Sequence, residues 1–354
     1  MFRRLVLLAA LATLLATSTL VAQTPPVNTP FVSPPAEVTQ RVGVTDVTVN
    51  YHRPLVNGRT LWGQVVPYGQ VWRAGANDNT TISFSTDVTI DGQALAAGTY
   101  GLHMLPGESE WVVIFSTNHT SWGSFSYDEG EDALRVTVTP ADAPMFHEAL
   151  TYHFLDLGPT SMTAALAWGD KMVPFEVGID LASTVLVDIE NQLRHLAGFG
   201  WSGPFAAANY CQQNQGLCPD ERVIGWADQS IQAERRFENL WLKSQLLGES
   251  DAEQAATLRS EALAMGNPGQ LHQAGRQMVI AGDLDQAMTI FEMNAEKHPE
   301  TWFVEVGLAR GHAAQGDFAK AAAHMKKAHE RAPEPQKAYI QGLVDQLEAE
   351  QPIG

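Results

Sequence analysis

"GDLDQAMTIFEMNAEKHPE", residues 282–300, is answered thirty-four residues later by "GDFAKAAAHMKKAHERAPE", residues 316–334. Each begins Gly-Asp, carries an alanine five places on (Ala287, Ala321), a large apolar residue four beyond that (Phe291, Met325), and a proline near its end (Pro299, Pro333). Gly248 stands one equal interval before Gly282. A fixed period of this length marks a supersecondary unit that cannot bury its own apolar face and stacks on copies of itself. The spacing of the apolar places within it is helical. This half of the chain is therefore predicted to be a solenoid of helix pairs.

The period and the residues at its fixed places resemble the tetratricopeptide repeat. In the unit Pro268 to Thr301, the resemblance gives Gly275 to helix approach, Gly282 to the turn, Ala287 and Phe291 to the second helix, and Pro299 to the end. Ala309, Gly316, Ala321, Met325 and Pro333 hold those places in the next unit, with Ala328 on the inner seam. Two degenerate pairs precede them, one turning at Gly248 and one carrying Tyr210 at the usual aromatic place. The repeats are assigned to residues 200–350, after a connecting helix over 183–199. "PQKAYIQGLVDQLEAE" closes the stack, amphipathic through Ala338, Leu343 and Leu347. Such a stack presents a continuous concave surface on which solenoids of this kind hold a peptide or partner protein; the plainer reading is that it braces the rest of the chain. The two cysteines, Cys211 and Cys218 in "CQQNQGLC", bracket the turn of the first pair. Their spacing suits a small disulfide loop in an oxidising compartment, whereas a metal site would need two further ligands that are not adjacent.

Upstream, over residues 37–182, the period changes from helical to two. "VTDVTVNY" alternates Val47, Val49 and Tyr51 against Thr48, Asn50 and His52. "TISFSTDVTIDGQAL" repeats the pattern around an Asp91-Gly92 hairpin turn, and "GTYGLHMLPGESEWVVIFS" reads as two strands across Pro106-Gly107. "ALRVTVT", "LTYHFLDL", "MTAALAW" and "VPFEVGI" continue the series. Eight or nine short strands without intervening helices predict an antiparallel β-sandwich or barrel, taken here as a sandwich. The fold class is thus multidomain, β then α.

Several motifs in this half, in order, resemble the family catalogued as domain of unknown function 2911: "YHRP", "NGRTLWG", "VPYGQVWRAGANDNTTI", "AAGTYGLHMLPGESEWVVIF" and "WGSFSYDEGEDALRV". The matches fall on Tyr51, Arg53, Pro54, Gly58, Arg59, Pro67, Tyr68, Gly69, Trp72, Arg73, Gly75, Ala76, Asn77 and Thr80. Later ones are Gly98, Tyr100, Trp111, Trp122, Gly123, Tyr127, Asp132 and Arg135. The resemblance implies an exported bacterial protein, often with tetratricopeptide-like helices following, and carries no activity with it. One departure is "GANDNT", where Glu and Ala are more usual than Asp78 and Asn79; Asp78 would hold a carboxylate one methylene further back.

"MFRRLVLLAALATLLATSTLVAQ" places Arg3 and Arg4 before an apolar run that ends in small residues at Ala22, the pattern of a signal peptide over residues 1–22. A linker over 23–36 follows. The mature chain is expected to be exported, periplasmic or secreted, with no stable membrane anchor after cleavage. The formal net charge of −18 repels phosphate backbones, which argues against a nucleic-acid partner.

The favoured candidate site is Arg53, Arg59, Arg73 and Asn77 beside Tyr68, Trp72 and Asp78. Guanidinium forks bind carboxylates or phosphates, and an adjacent indole offers a stacking plane, so a small anionic or glycan-like ligand is the functional expectation. The rival reading has Gly69 and Gly75 shape a connection, Trp72 plug the sandwich, and the arginines pair with Asp78, Asp128 or Asp132. His52, His103, His119, His147 and His153 are dispersed and match no catalytic signature, and no cofactor is expected. The resulting expectation is a non-catalytic binding or scaffold protein of the cell envelope. The alternative is an envelope hydrolase working around Arg73 and Asp132.

Overall fold

The computed structural model describes residues 30–248 and 250–353. The expected signal peptide and the linker as far as residue 29 lie outside the described residues. The chain divides into two compact units between Ile179 and Asp180.

The first unit contains two antiparallel sheets. The larger comprises β1 (Pro35–Val42), β2 (Thr45–His52), β3 (Thr81–Phe84), β6 (Gly98–Pro106), β7 (Trp111–Ser116) and β8 (Asp132–Val138), in the order β1-β2-β3-β6-β7-β8. The smaller comprises β4 (Val88–Ile90), β5 (Gln93–Leu95), β9 (Ala141–Leu155) and β10 (Ser161–Gly178), in the order β5-β4-β10-β9. Alternation sets the inner faces: Val47, Val49, Ile82, Leu102 and Val113 of the larger sheet, and Leu150, Leu166, Val173 and Val177 of the smaller, are fully buried. Rings bridge the layers, Phe115 meeting Phe175 at 5.7 Å and Tyr51 meeting Tyr152 at 4.8 Å. Trp62, Trp72, Trp111 and Trp168 form a second aromatic group, with Trp72 stacked on Trp168 at 5.9 Å.

Three local expectations need correction. Pro35 and Ala36, assigned to the linker, open β1 by pairing with His52 and Tyr51. "TISFSTDVTIDGQAL" is three strands, because the chain leaves the larger sheet after Phe84 and joins the smaller at Val88. "MTAALAW" and "VPFEVGI" are one strand, β10: Gly169, between the two stretches, is a positive-φ bulge (φ 61°) where register shifts while pairing continues.

The second unit is a helical solenoid. Its helices are α1 (Leu181–Leu193), α2 (Ser202–Gln213), α3 (Asp220–Ala233), α4 (Phe237–Leu247), α5 (Ala252–Met265), α6 (Pro268–Ala281), α7 (Leu284–Lys297), α8 (Trp302–Ala314), α9 (Phe318–Arg331) and α10 (Glu334–Glu348). The repeated Gly-Asp explains the turns. Gly282 takes the left-handed conformation that ends α6, while Asp283 and Asp317 cap the next helices by accepting from Gln286 and Lys320 backbone amides. Gly275 and Gly307 make room for Phe291: a Cβ would come within 2.4 Å of its ring at Gly275 and 2.7 Å at Gly307. The expected connecting helix is shorter than 183–199. Asp180 caps α1 through Ser183, and a separate 3-10 turn covers Leu196–Phe199. The buried stripe of α10 is Ile340, Leu343, Val344 and Leu347, with Ala338 exposed, since the helical phase starts at Ile340. Cys211 and Cys218 are joined by a disulfide, S–S 2.03 Å.

Candidate functional site

The structure does not gather Arg53, Arg59 and Arg73 into one basic patch. Arg53 donates from Nε to the Leu150 carbonyl (2.9 Å) and from Nη2 to Thr151 Oγ1. Arg59 turns onto its own loop, donating to the carbonyls of Val56 and Leu55. Arg73 donates to the Asn77 carbonyl. Asn77 has positive φ (56°), its Nδ2 donates to the Ser33 carbonyl, and it lies 2.9 Å from His52 Nδ1. Asp78 is an exposed carboxylate 3.4 Å from His52 Nε2. Trp72 is half-buried and donates to the Gly75 carbonyl, while the exposed Tyr68 ring packs over Gly63. Among the described residues the three arginines form no ion pair with Asp78, Asp128 or Asp132. Asp132 is held instead by Arg135 (2.9 Å) and by the Tyr127 hydroxyl (2.6 Å).

What does converge is a polar cluster on the outer face of the larger sheet, beneath a flap formed by residues 117–131. β6 alternation sends Leu102 and Met104 into the core and His103 outward, where the flap covers it to 3% exposure. His103 Nδ1 lies 2.8 Å from Ser124 Oγ, and its ring packs on Tyr127 at 5.5 Å. Burial pushes His103 down to about 4; the Asp132 carboxylate opposes this and the Arg73 guanidinium reinforces it. Burial and the hydrogen bond to Asp132 raise the Tyr127 phenol. Close backbone approaches build the cluster. A Cβ on Gly101 would fall 2.4 Å from the Asn118 carbonyl, and one on Gly123 only 2.8 Å from Arg73 Cζ.

Above Gly123, Arg73 lies 5.2 Å from the Trp122 ring centre and 5.5 Å from that of Phe125. Those rings stack on each other at 5.6 Å, nearly parallel, and are 61% and 79% exposed. Burial lowers the Arg73 pKa, opposed by Asp78. The space under the flap, lined by His103, Ser116, Asn118 and Tyr127 among others, is about 10 Å³, room for one water. The arrangement therefore offers a closed polar chamber inside and an aromatic shelf outside. Sequence reasoning singled out Arg73, Trp122, Gly123, Tyr127, Asp132 and Arg135 through scattered motifs but missed Ser124, Phe125 and Asn118. The signal available was that "WGSFSY" combines an aromatic pair with small polar residues. His52 and His103 sit on strands separated by β3. Among the described residues no group of three or more His, Cys, Asp or Glu is arranged to hold a metal ion.

An antiparallel sandwich followed by a solenoid of helix pairs defines a two-part architecture. Residues 33–177 match the family model described as Protein of unknown function (DUF2911), bearing out the resemblance carried by the motifs of this half. No curated protein matches the chain. Solved structures similar to the chain include YrrB, described as "a TPR protein with an unusual peptide-binding site". The two are 14% identical, with 48% of this chain and 86% of that one covered at a TM-score of 0.27. MamA from Desulfovibrio magneticus RS-1 is 14% identical, covering 40% of this chain and 84% of that one, at 0.27. MamA MSR-1 is 16% identical, covering 42% and 86%, at 0.25.

Proposed function

We propose that the chain is an exported, non-catalytic binding or scaffold protein of the cell envelope whose helical half holds a protein partner. The observation that carries this reading is that α6 and α8, the first helices of consecutive units, are in contact with each other as well as with their own second helices. First helices packed this way line one continuous surface along a solenoid, which is the surface such stacks use for partners. Ile280, 79% exposed on α6, is an apolar residue without a structural use there. Export rests on the first twenty-two residues, whose charge and apolar pattern is that of a signal peptide.

A photo-crosslinking amino acid at position 280 of the full chain, expressed in its own cell envelope, tests the reading. A discrete crosslinked protein is expected from position 280 and not from position 330, an exposed place on α9. Equal or absent crosslinking from both positions would count against it.

The β half adds a second surface. The ligand reading, a small anionic or glycan-like molecule, moves from the Arg53 and Arg59 loop to the Trp122–Phe125 shelf beside Arg73, because Arg53 spends donors on Leu150 and Thr151 of β9 and Arg59 on carbonyls of its own loop. The hydrolase alternative is favoured by one contact, Ser124 Oγ on the neutral His103. It requires the flap to open, and turnover of an ester or glycoside substrate that vanished in Ser124→Ala would establish it.

A further inference from the structure

Arg276 and Arg310 hold the same place in consecutive repeat units, thirty-four residues apart, on α6 and α8. Those helices touch, which sets the two cationic residues in register along the solenoid. After burial, Arg276 is the largest influence lowering the Arg310 pKa, and both arginines act in the same direction on His272, one turn before Arg276. Arg310 Nε and Nη1 are buried without a hydrogen-bond partner, and so is His272 Nδ1. Tyr339, on α10, partly offsets this at Arg310. The apolar side of the cluster is made by Phe303 and Phe291, whose rings stand 5.8 and 5.9 Å from His272. Gly307 lets the imidazole pack close to the backbone of α8, since a Cβ there would sit 3.2 Å from His272 Nδ1.

Buried donors left unpaired are costly, and charged ones more so. The usual remedy is an acidic side chain, and the chain has 40 of them against 22 arginines and lysines. Yet among the described residues no carboxylate oxygen lies within 4.0 Å of a nitrogen of either arginine. Other arginines of the same unit do find acids, Arg222 with Glu190 and Arg235 with Glu261. Arg276 and Arg310, in register on contacting helices, are left without one.

We propose that Arg276, Arg310 and Tyr339, beside His272, form the seat for an acidic side chain of an extended peptide segment in the partner protein. The proposal rests on the reading of the helical half as a partner-binding surface and names the chemistry that surface selects. The carboxylate accepts from the two guanidiniums, whose planar forks suit it. The exposed Tyr339 hydroxyl can supply a further donor, and His272 adjoins the seat with its Nδ1 turned inward. Phe303 gives the neighbouring peptide side chain an apolar wall. On a chain of net charge −18, non-specific attraction does not bring an anionic peptide here, so binding reports the local seat.

The test uses the full mature chain and a fluorescein-labelled, C-terminally amidated peptide Gly-Glu-Gly-Glu-Gly-Glu, with its all-Gln counterpart, followed by fluorescence anisotropy at physiological salt. The Glu peptide is expected to bind and the Gln peptide to fail. Arg276→Gln and Arg310→Gln are each expected to weaken binding about tenfold or more, with Arg310→Lys retaining part of it. Arg310→Met, which keeps the aliphatic stem and removes the unpaired charge, is expected to melt at or above the wild-type temperature while losing the peptide, which separates binding from folding. Equal binding of the Glu and Gln peptides, no binding of either, or wild-type affinity in the Arg→Gln variants overturns the proposal. A partner crosslinked from position 280 to the same extent in the Arg276→Gln/Arg310→Gln double variant overturns the seat and leaves the partner reading standing. Selective Glu-peptide binding without any crosslinked protein supports the seat while removing the partner reading.

Discussion

Arginines in the two units meet opposite fates. In the β unit Arg53, Arg59 and Arg73 all donate to backbone carbonyls, those of Leu150, Val56, Leu55 and Asn77. In the helical unit Arg276 and Arg310 hold matching places on two contacting helices, and two of Arg310's donors are buried and idle. The difference follows from the backbone. Connections between strands and the free edge of β9 leave carbonyls without ladder partners, so a guanidinium nearby ties its loop to them. A helix consumes its own carbonyls except at its end, so an arginine in its middle must find a side chain or a ligand. The same residue type therefore ties strand connections to nearby carbonyls in one setting and, at positions 276 and 310, is left for a side chain or a ligand in the other.

The largest effect that could break this contrast is the behaviour with pH. Burial pushes both His103 under the flap and His272 beside the arginines from 6.5 down to about 4. The unfolded chain takes up the proton first, so each contribution is fully present above pH 6.5 and is lost as pH falls to about 4, roughly 3 kcal/mol apiece. Melting temperature should fall across that window, less steeply in His103→Gln. Imidazole resonances followed by NMR should titrate near 4 for both residues. Adding the Glu peptide should raise the His272 midpoint and leave His103 where it is; movement of both together would erase the distinction between a sealed chamber and a binding seat.

Glycines sharpen the same comparison. Gly123 and Gly282 share a left-handed backbone, φ 69° and 81°, but only Gly123 has a neighbour in the way, Arg73, with Gly282 open. Gly282→Ala should cost about 1 kcal/mol for conformation alone, and Gly123→Ala about 2 kcal/mol or more, strain and displacement adding. Urea denaturation measures both. Trp fluorescence should change in the Gly123 variant as Arg73 leaves the Trp122 ring; equal costs would mean that the guanidinium is not seated against Gly123.

Much of this organisation was legible in the residues, for unequal reasons. The 34-residue interval and its Gly-Asp turns exposed the helix pairs because each repeat solves one packing problem with the same residues. The two-residue alternation around Val47 and Leu102 exposed the sheets for a similar reason. The split of "TISFSTDVTIDGQAL" between two sheets was hidden, since strand pattern does not state which sheet a strand joins. The candidate site was half legible. Arg73 and Asp132 were singled out, but Ser124 and Phe125 reach the same place only through the fold of the flap, and alternation says which face His103 takes but not that a loop covers it. Arg276 and Arg310 stood at matching places in the repeat, yet only their lack of acidic neighbours makes them informative, and that is a property of three-dimensional packing.

The smallest effect is the most direct comparison, Arg53→Met against Arg310→Met. Methionine keeps much of the apolar stem in both, so what is removed is the charged head and its hydrogen bonds. At position 53 the loss leaves the Leu150 carbonyl and Thr151 hydroxyl without the donor that joins them to the loop, and a cost of about 1 kcal/mol is expected. At position 310 no hydrogen bond to Nε or Nη1 is lost and a repulsion with Arg276 is relieved, so the change should be near zero or slightly stabilising. The midpoints of urea unfolding decide it. A loss at position 310 as large as that at position 53 would mean that Arg310 supports the fold after all, and the opposite fates of the two sets of arginines would collapse into one.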